Sequence, residues 1–318
     1  MAPTILIAGA TGNTGRSVVE TLPKLLESSS TLSDHRVIAL TRSLDGPVAR
    51  EFTKLPGVEV IEQNWVEITA DWLREHNVTR AFIAPHHKPN QFAEESTFHH
   101  AALKAGVKYV IRISTTAANV RPDCNAYYPR SHWAIEALLD SPEFSALQWT
   151  SLQPNVFSQL WLYSAAEMIK NFRKTRKQST LRLLATEDAP IGIIDPAEVG
   201  IFAAHLLAQD DTVAHNKARY VLNGPKDLTG AQIVDLVEQH IGTRVEDVSF
   251  KDISLIQSHV DLRLAGTNES RNVVSSIKNA LETCWEGKCS VSTTSEEVLA
   301  LAAPKRTPAE ALEDMLKE

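Results

Sequence analysis

Through its first 150 residues the chain alternates between unbroken apolar runs and segments where apolar residues recur every three or four positions. The runs are TILIA (4–8), RVIAL (36–40), VEVI (58–61), RAFIA (80–84) and KYVIRI (108–113). Between the first two, Val18, Leu22, Leu25 and Leu26 repeat at helical spacing, and further helical segments span about 69–76 and 91–105. A sixth run, LQWTSLQP (147–154), follows a helix expected over 130–139. Continuously apolar strands alternating with helices predict a parallel sheet covered on both faces, an α/β architecture.

After Pro154 the alternation breaks down. SQLWLYSAAEMIKNF (158–172) reads as one helix. RKTRKQ (173–178) reads as a solvated basic loop or helix end, with an anion contact as the alternative. APIGIIDPAEVGIFAAHLLAQ (189–209) predicts a strand and then a helix, ARYVLNGP (218–225) another strand, and LTGAQIVDLVEQHIG (228–242) a helix stopped at Gly242. The tail reads as mixed and mostly helical. In TPAE (307–310), Thr307 is a cap, Pro308 lies in the first turn and Glu310 reaches back. No internal repeat, low-complexity segment or flexible linker interrupts the chain, so its two halves are expected to pack closely.

Composition narrows the class of protein. A chain of 318 residues accommodates one large domain or two smaller ones. Its net charge of −7 argues against nucleic acid as the main partner. The three cysteines, Cys124, Cys284 and Cys289, cannot all pair, which fits a reducing compartment. Cys284 and Cys289, in CWEGKC, read as ordinary thiols near a turn, with a redox pair or metal site as the alternative. No apolar run approaches the ~18 residues of a membrane span, and no charged segment leads into an apolar stretch and cleavage site. The expectation is a cytoplasmic protein without a membrane partner.

The chemistry begins at GATGNTGR (9–16), directly after TILIA, where a first strand turns into a first helix. Free backbone N–H groups and the positive end of the helix dipole favour a phosphate there. Gly9 permits the tight turn, Gly12 removes a side chain from the path of a pyrophosphate, and Gly15 lets the helix pack against the sheet. The spacing is G-x-x-G-x-x-G. With a strand before it and a helix after it, the loop predicts dinucleotide binding, against a structural turn without ligand. Thr11, Asn13 and Thr14, in the same loop, join the three glycines as cofactor-contact candidates.

The end of the second strand reads LTRS, with Thr41, Arg42 and Ser43 and no acid before Asp45. An acid there would hydrogen-bond the ribose and repel a 2′-phosphate, whereas Arg42 offers that phosphate a planar fork. NADP(H) is favoured over NAD(H). Arg16 is either a second contact or a solvated surface residue. Asn64, after the third strand, lies where adenine contacts are made. APHHKPN (84–90) follows the fourth strand, in the crevice beyond the strand ends. Pro85 and His86 are cofactor-contact candidates, and His86, His87 or Lys88 is a candidate to face nicotinamide or substrate, with solvated loop histidines as the alternative. His99 and His100 lack an acid or cysteine to complete a ligand set, so no metal site is expected. QPNVFSQLWLY (153–163) leads into the second half; Pro154 and Asn155 are cofactor-contact candidates, and Asn155, Phe157 and Trp161 are candidates to line the cleft, with core packing as the alternative for the aromatics.

ILIAGATGNTGRSVVETL, ALTRS, VKYVIRIS, AIEALL, WTSLQPNVF, IIDPAEVG and YVLNGPKDLTGAQIV fall in an order that resembles the NmrA-like family of atypical short-chain dehydrogenases/reductases, over about residues 3–245. The resemblance implies a Rossmann-like doubly wound NAD(P)-binding domain, placed at 1–154. It also implies a smaller, mostly helical domain at 155–318 that binds substrate or partner, with segments near 190–225 returning to the sheet. A small-molecule substrate would lie in the cleft between them. Members of the family are NADPH-dependent reductases of quinones, dyes or plant and fungal metabolites, which points to secondary metabolism. Others are dinucleotide-sensing regulators acting through protein contacts, for which a regulatory partner or a homodimer is expected.

Short-chain reductases carry a Ser, and a Tyr four residues before a Lys. Here YYPRSHWAIEALL supplies Tyr128, holds His132 at the Lys position, and places Glu136 at a common acid; Ser114 precedes Tyr128 at suitable spacing, with Thr115 and Thr116 as substitutes. His for Lys is a departure, since a neutral imidazole brings no fixed charge at pH 7. Tyr128 as a packed aromatic and His132 as a helix-surface residue are the alternative. The leading expectation is an NADPH-dependent reductase of a small carbonyl, quinone or conjugated metabolite, with Ser114, Tyr128 and His132 as catalytic candidates. The runner-up is an NADP(H)-sensing regulator without catalysis.

Overall fold

A computed structural model describes residues 2–317. Its strands are β1 (Thr4–Ala8), β2 (Arg36–Thr41), β3 (Val58–Glu62), β4 (Val78–Ile83), β5 (Tyr109–Ile113), β6 (Gln148–Pro154), β7 (Val156–Phe157), β8 (Leu181–Arg182), β9 (Ile193–Ile194), β10 (Ala218–Leu222) and β11 (Val248–Ser249). Seven of them form one sheet in the order β10-β6-β5-β4-β1-β2-β3, and every pairing in it is parallel. The short strands pair off as β7 with β9 and β8 with β11. Chain order reverses between β1 and β4, which defines the crevice where ligands of doubly wound sheets lie.

The long helices are α1 (Gly15–Glu27), α4 (Gln91–Ala105) and α5 (Tyr127–Asp140), with short α2 (Pro47–Phe52) and α3 (Ala70–Glu75) between the strands. β1 is buried throughout, and its side chains alternate between two cores. Ile5 and Ile7 face Val18, Val19 and Leu22 of α1 together with Phe202 and Leu206. Leu6 and Ala8 face Leu73 of α3, Phe98 of α4 and Ile135 of α5. The continuous apolar strands therefore reflect cover on both faces.

The second half adds α6 (Ser158–Trp161), α7 (Tyr163–Thr175), α8 (Pro196–Leu207), α9 (Gly230–Ile241), α10 (Ser254–Leu264), α11 (Arg271–Ser275), α12 (Glu282–Trp285), α13 (Glu296–Ala302) and α14 (Pro308–Met315). Many of these surround a third core around Leu162, Ile169, Ile193, Ile233, Val237 and Leu312. Two segments leave that body for the sheet. β10 pairs with β6 along its whole length, Leu222 opposite Pro154. α8 lies on α1, where a Cβ at Gly200 would fall 2.1 Å from Ser17 Oγ. Ser17 Oγ there donates to Ala197 O at 2.8 Å.

Two local expectations shift. The segment 158–172 is two helices, because ψ at Leu162 is near 0° and bends the axis while Leu162 N still donates to Ser158 O at 2.9 Å. The bend lets adjacent Trp161 and Leu162 both enter the core. The helix expected over 130–139 begins three residues earlier, at Tyr127. Pro129 falls in its first turn, where a missing N–H costs no helical bond. At the other end of the chain, Thr307 and Glu310 form the reciprocal cap their spacing predicts. No helix among the described residues is long and apolar enough to cross a membrane.

Candidate active site

The glycine loop leaves β1 at the reversal point. Gly9 has φ +84° and lies against Ala84 after β4, where a Cβ would come within 3.1 Å of Ala84 O. Gly15 is closed on its other side: a Cβ there would be 2.2 Å from Gly9 O. Gly12 differs from both. Its Cβ would meet only Gly9 O, at 3.2 Å, and Thr11, Gly12 and Asn13 are exposed. The outer face of the turn is bare backbone ahead of a helix N-terminus, with Thr14 buried at the cap position. Those features fit a pyrophosphate.

Beyond β2, Arg42 is exposed and has no ion-pair or hydrogen-bond partner among the described residues. The acids around it are engaged elsewhere: Glu62 accepts from Leu44 N at 3.0 Å, and Asp45 pairs with Arg50 at 3.2 Å. Arg16 is not available in the same way, since it pairs with Glu20 at 2.8 Å and Glu51 at 2.9 Å. Asn64 is exposed at the head of a single 3₁₀ turn after β3.

A cavity of about 550 Å³ opens along the C-terminal ends of β4, β5 and β6. Its sheet side is Pro85, His87, Ile113 to Thr116 and Pro154 to Phe157. Tyr128 and His132 enter from α5, Trp161 and Tyr163 from α6 and α7, and Leu255, Ile256 and His259 from α10. Ala280, Leu281 and Cys284 close the far side. Among the described residues, no Asp, Glu, Lys or Arg lines it. Asn155 is fixed by Asn223, which accepts from its side chain at 2.7 Å.

The structure brings Ser114, Tyr128 and His132 to one wall, although not as a conventional proton-delivery pair. Tyr128 and His132 meet edge to face, ring centroids 6.3 Å apart. Burial pushes the Tyr128 phenol upward, with the Thr115 side chain opposing it, and no cation stands by to draw it down. Ser114 Oγ donates to Glu136 Oε1 at 2.9 Å. Burial, then the neighbouring Arg112 guanidinium, hold His132 down to about 3. His132 is thus a buried neutral imidazole on the cavity wall, not a helix-surface residue.

Behind that wall lies a charge network that the motif-based reading missed. Arg112, next to last in β5, is fully buried with Glu95 of α4. Its Nε donates to Glu95 Oε1 at 2.6 Å and its Nη2 to Glu95 Oε2 at 3.2 Å. Its Nη1 reaches Ser151 Oγ at 3.1 Å and Glu136 Oε1 at 3.4 Å. Glu136 also accepts from Ser151 at 2.6 Å, from Gln153 at 3.2 Å, and from half-exposed Arg219 at 2.9 Å. Burial alone would raise Glu95, but the Arg112 charge together with hydrogen bonds from His99 and Arg112 outweighs it and holds the carboxyl below its usual range. The sequence signal was an arginine inside an otherwise apolar strand, since buried charges require partners.

Of the adjacent histidines after β4, the one on the cavity wall is His87. The His86 side chain turns away, its Nε2 against Glu94 and its ring beside Trp65. Phe157 and Trp161 both line the cavity while Trp161 also belongs to the third core. Cys284 and Cys289 are both free and buried, their sulfurs 3.3 Å apart. No group of three or more His, Cys, Asp or Glu able to hold a metal occurs among the described residues.

A bare glycine turn at the reversal point of a doubly wound sheet, next to a largely apolar cavity, defines a dinucleotide-binding α/β protein. More specifically, the profile of the NmrA-like family matches residues 1–297, and the chain belongs to that family. No curated protein matches the sequence. Among solved structures, the NADPH-dependent quinone oxidoreductase QOR2 of Escherichia coli, complexed with NADPH, is 18% identical. The match covers 98% of this chain and 99% of that one, with a TM-score of 0.71. Triphenylmethane reductase of Citrobacter sp., complexed with NADP(H), is 18% identical over 98% and 100% of the two chains, TM-score 0.67. NmrA, a negative transcriptional regulator in complex with NAD, is 15% identical over 99% and 96%, TM-score 0.68. At these identities the likeness establishes the fold.

Proposed function

We propose that this protein is an NADP(H)-dependent reductase of a small, uncharged, largely apolar compound carrying a carbonyl or conjugated acceptor. The observation that carries this reading is the cavity itself, which opens beside the nucleotide crevice and has no formally charged side chain on its wall. A charged substrate would lose its hydration there without a partner, whereas a planar apolar one would be covered by Phe157, Leu255, Ile256 and Leu281.

The nucleotide side rests on this chain's own residues. Thr11 to Thr14 present backbone to a pyrophosphate, with Gly12 keeping the approach open. Arg42 is the free cation for a 2′-phosphate. When bound, NADPH supplies a hydride. Pro85, His87 and Asn155 wall the space beside the nicotinamide position and exclude water from it. Ser114, tied to Glu136, and neutral Tyr128 shape the polar edge. NADPH titration against NADH, followed by NADPH oxidation with uncharged aryl ketones and quinones, tests the assignment. Tighter NADPH binding with turnover supports it, and binding without turnover of any such compound sinks the enzyme reading.

One observation favours a second reading, a dinucleotide-sensing regulator. The classical tyrosine–lysine pair is not assembled, because His132 is neutral and Tyr128 is not acidified. A sensor would bind NADPH and NADP⁺ with different consequences for a protein partner and would turn over neither.

A further inference from the structure

The protonation of His132 follows from what surrounds its ring. Nδ1 lies 2.6 Å from Nη2 of Arg112 and 3.2 Å from Nε2 of Gln91. A guanidinium carries five N–H donors and no acceptor, so the Nδ1 lone pair must accept. The Gln91 amide is oriented by Glu95, whose Oε2 accepts from the same NH₂ group at 3.0 Å. A neutral imidazole has one N–H, and with Nδ1 occupied as an acceptor that proton belongs on Nε2. No protein group among the described residues meets Nε2, which is not sealed from solvent, and His132 lines the cavity.

Arg112 cannot swing away. Glu95 grips it through two N–H···O contacts, at 2.6 and 3.2 Å, and Ser151 and Glu136 receive its third nitrogen. Burial and then the Arg112 charge hold the ring neutral against the opposing pull of the Glu95 carboxylate. Arg112 comes from β5; Gln91, Glu95 and His99 come from α4; Tyr128 and Glu136 share its own helix; and His87, itself lowered by burial and then by Arg263, faces it from beyond β4.

We propose that Arg112 is a positioning residue that locks His132 as its Nε2–H tautomer, so that His132 offers a neutral, cation-backed hydrogen-bond donor to a carbonyl oxygen on the cavity ligand. Negative charge developing on that oxygen is stabilised by an N–H whose ring is polarised from behind by a guanidinium. Donors fixed in a water-poor site act without reorganising. His132 donates this bond and keeps its proton. Glu95 balances the charge of Arg112, so the site answers to a carbonyl dipole in preference to a full anion. The purpose of this arrangement rests on the reductase reading, but the tautomer can be tested without catalysis.

The test is ¹⁵N spectroscopy of the full protein labelled at histidine, with His132 assigned by the loss of its signals in His132→Gln. The expected result is an unprotonated Nδ1, a protonated Nε2, and no titration between pH 5 and 9. A protonated Nδ1, or a titration near pH 6.5, overturns the proposal. Arg112→Gln is expected to give mixed tautomers. A folded Arg112→Gln protein that keeps the single Nε2–H form overturns the role of Arg112, and if that variant does not fold, the wild-type spectrum decides alone. The ligand arm compares benzophenone with diphenylmethane, which lacks only the oxygen, and with 4-benzoylbenzoate. Benzophenone is expected to move the Nε2–H signal and to bind at least tenfold more tightly than either analogue. Benzophenone binding that leaves the His132 signal unmoved overturns the donor role. A cavity that takes 4-benzoylbenzoate best overturns the uncharged substrate class of the reductase reading while leaving the tautomer standing.

Discussion

The two halves of the cleft are built in opposite ways. On the nucleotide side, the geometry rests on what is missing: no side chain at Gly12, no partner on Arg42 among the described residues, and backbone left facing outward. On the cavity side, the geometry rests on groups that engage one another. Arg112, Glu95 and Glu136 satisfy one another out of solvent, Gln91 joins them through its amide nitrogen, and one imidazole edge is left for the cavity. A site made by omission tolerates changes that add nothing in its path. A site made by saturation fails when any member is removed, because the remaining charge is left buried without a partner.

The largest expected effect lies within the omission side, between two glycines three residues apart. Gly15→Val should prevent folding, since even a Cβ would fall 2.2 Å from Gly9 O, and backbone cannot yield as a side-chain end can. Gly12→Val should fold normally and lose NADPH binding, because its added atoms point to the open face where only Gly9 O, at 3.2 Å, is near. Thermal unfolding and nucleotide titration of both variants separate the two roles. A stable Gly15→Val protein, or a Gly12→Val protein with unchanged affinity, would erase the distinction.

Next in size is the saturation side. Glu95→Gln leaves Arg112 short of its main counter-charge and should cost about 3–5 kcal/mol of stability, the range for breaking a buried pair. Denaturant unfolding measures it, and a loss below about 1 kcal/mol would mean that the network relaxes or admits water. The same geometry speaks against restoring the lysine that classical reductases carry. His132→Lys would bring a second cation to a position where a 2.6 Å contact already comes from Arg112. It should destabilise the protein and weaken ligand binding instead of improving turnover; equal stability and higher activity would show that the ammonium reaches another partner.

This asymmetry explains what could be read from the sequence. The strand–helix alternation, the glycine turn and LTRS are local patterns whose meaning lies in a few consecutive residues, and they place the sheet and the nucleotide crevice. The Arg112 network is assembled from β5, α4, α5, β6 and β10. Its only local trace is an arginine within KYVIRI, and Glu95 is hidden in a helix whose other acid, Glu94, serves His86. Adjacent His86 and His87 show the same limit: which one faces the cavity is set by Glu94 one helical turn into α4, a contact that strand-end position does not reveal. The tail beyond 245 supplies α10, α12 and the far wall, where no motif marks cavity residues such as His259 and Cys284.

Proton linkage gives a smaller, graded effect. His132 is held at about 3 in the folded protein against an ordinary value of 6.5, so between those values the unfolded chain binds a proton that the folded one does not. Stability therefore rises with pH through this window and falls as the medium is acidified below 6.5, by on the order of 1 kcal/mol per pH unit for a group so affected. His99 and His87 are lowered in the same direction, again first by burial, and share the slope. Glu95 works in the same sense further down: its depressed folded value contributes stability above the ordinary carboxylate range, and that contribution is lost as pH falls through the folded value. Unfolding free energies of the wild type and His132→Gln between pH 4 and 7 check this. The variant should have the shallower slope, and parallel curves would mean that His132 already carries its proton in the folded state.

The smallest effect returns to the omission side and concerns choice between cofactors more than binding itself. Arg42 is a free guanidinium at the end of β2, and a charge-assisted bond to a 2′-phosphate is worth about 1.5–3 kcal/mol. Arg42→Ala should weaken NADPH by roughly one to two orders of magnitude and leave NADH nearly unchanged, because NADH offers Arg42 no phosphate. Unequal losses isolate the phosphate contact from general damage to the crevice. Glu62 supplies the internal control. Its carboxylate holds Leu44 N at 3.0 Å beside Arg42, so Glu62→Gln keeps an acceptor for that amide while removing a negative charge from the neighbourhood of the phosphate. NADPH affinity should then rise slightly, with NADH indifferent. Equal responses of the two nucleotides to Arg42→Ala would mean that Arg42 steadies the loop and that selectivity between them has another source.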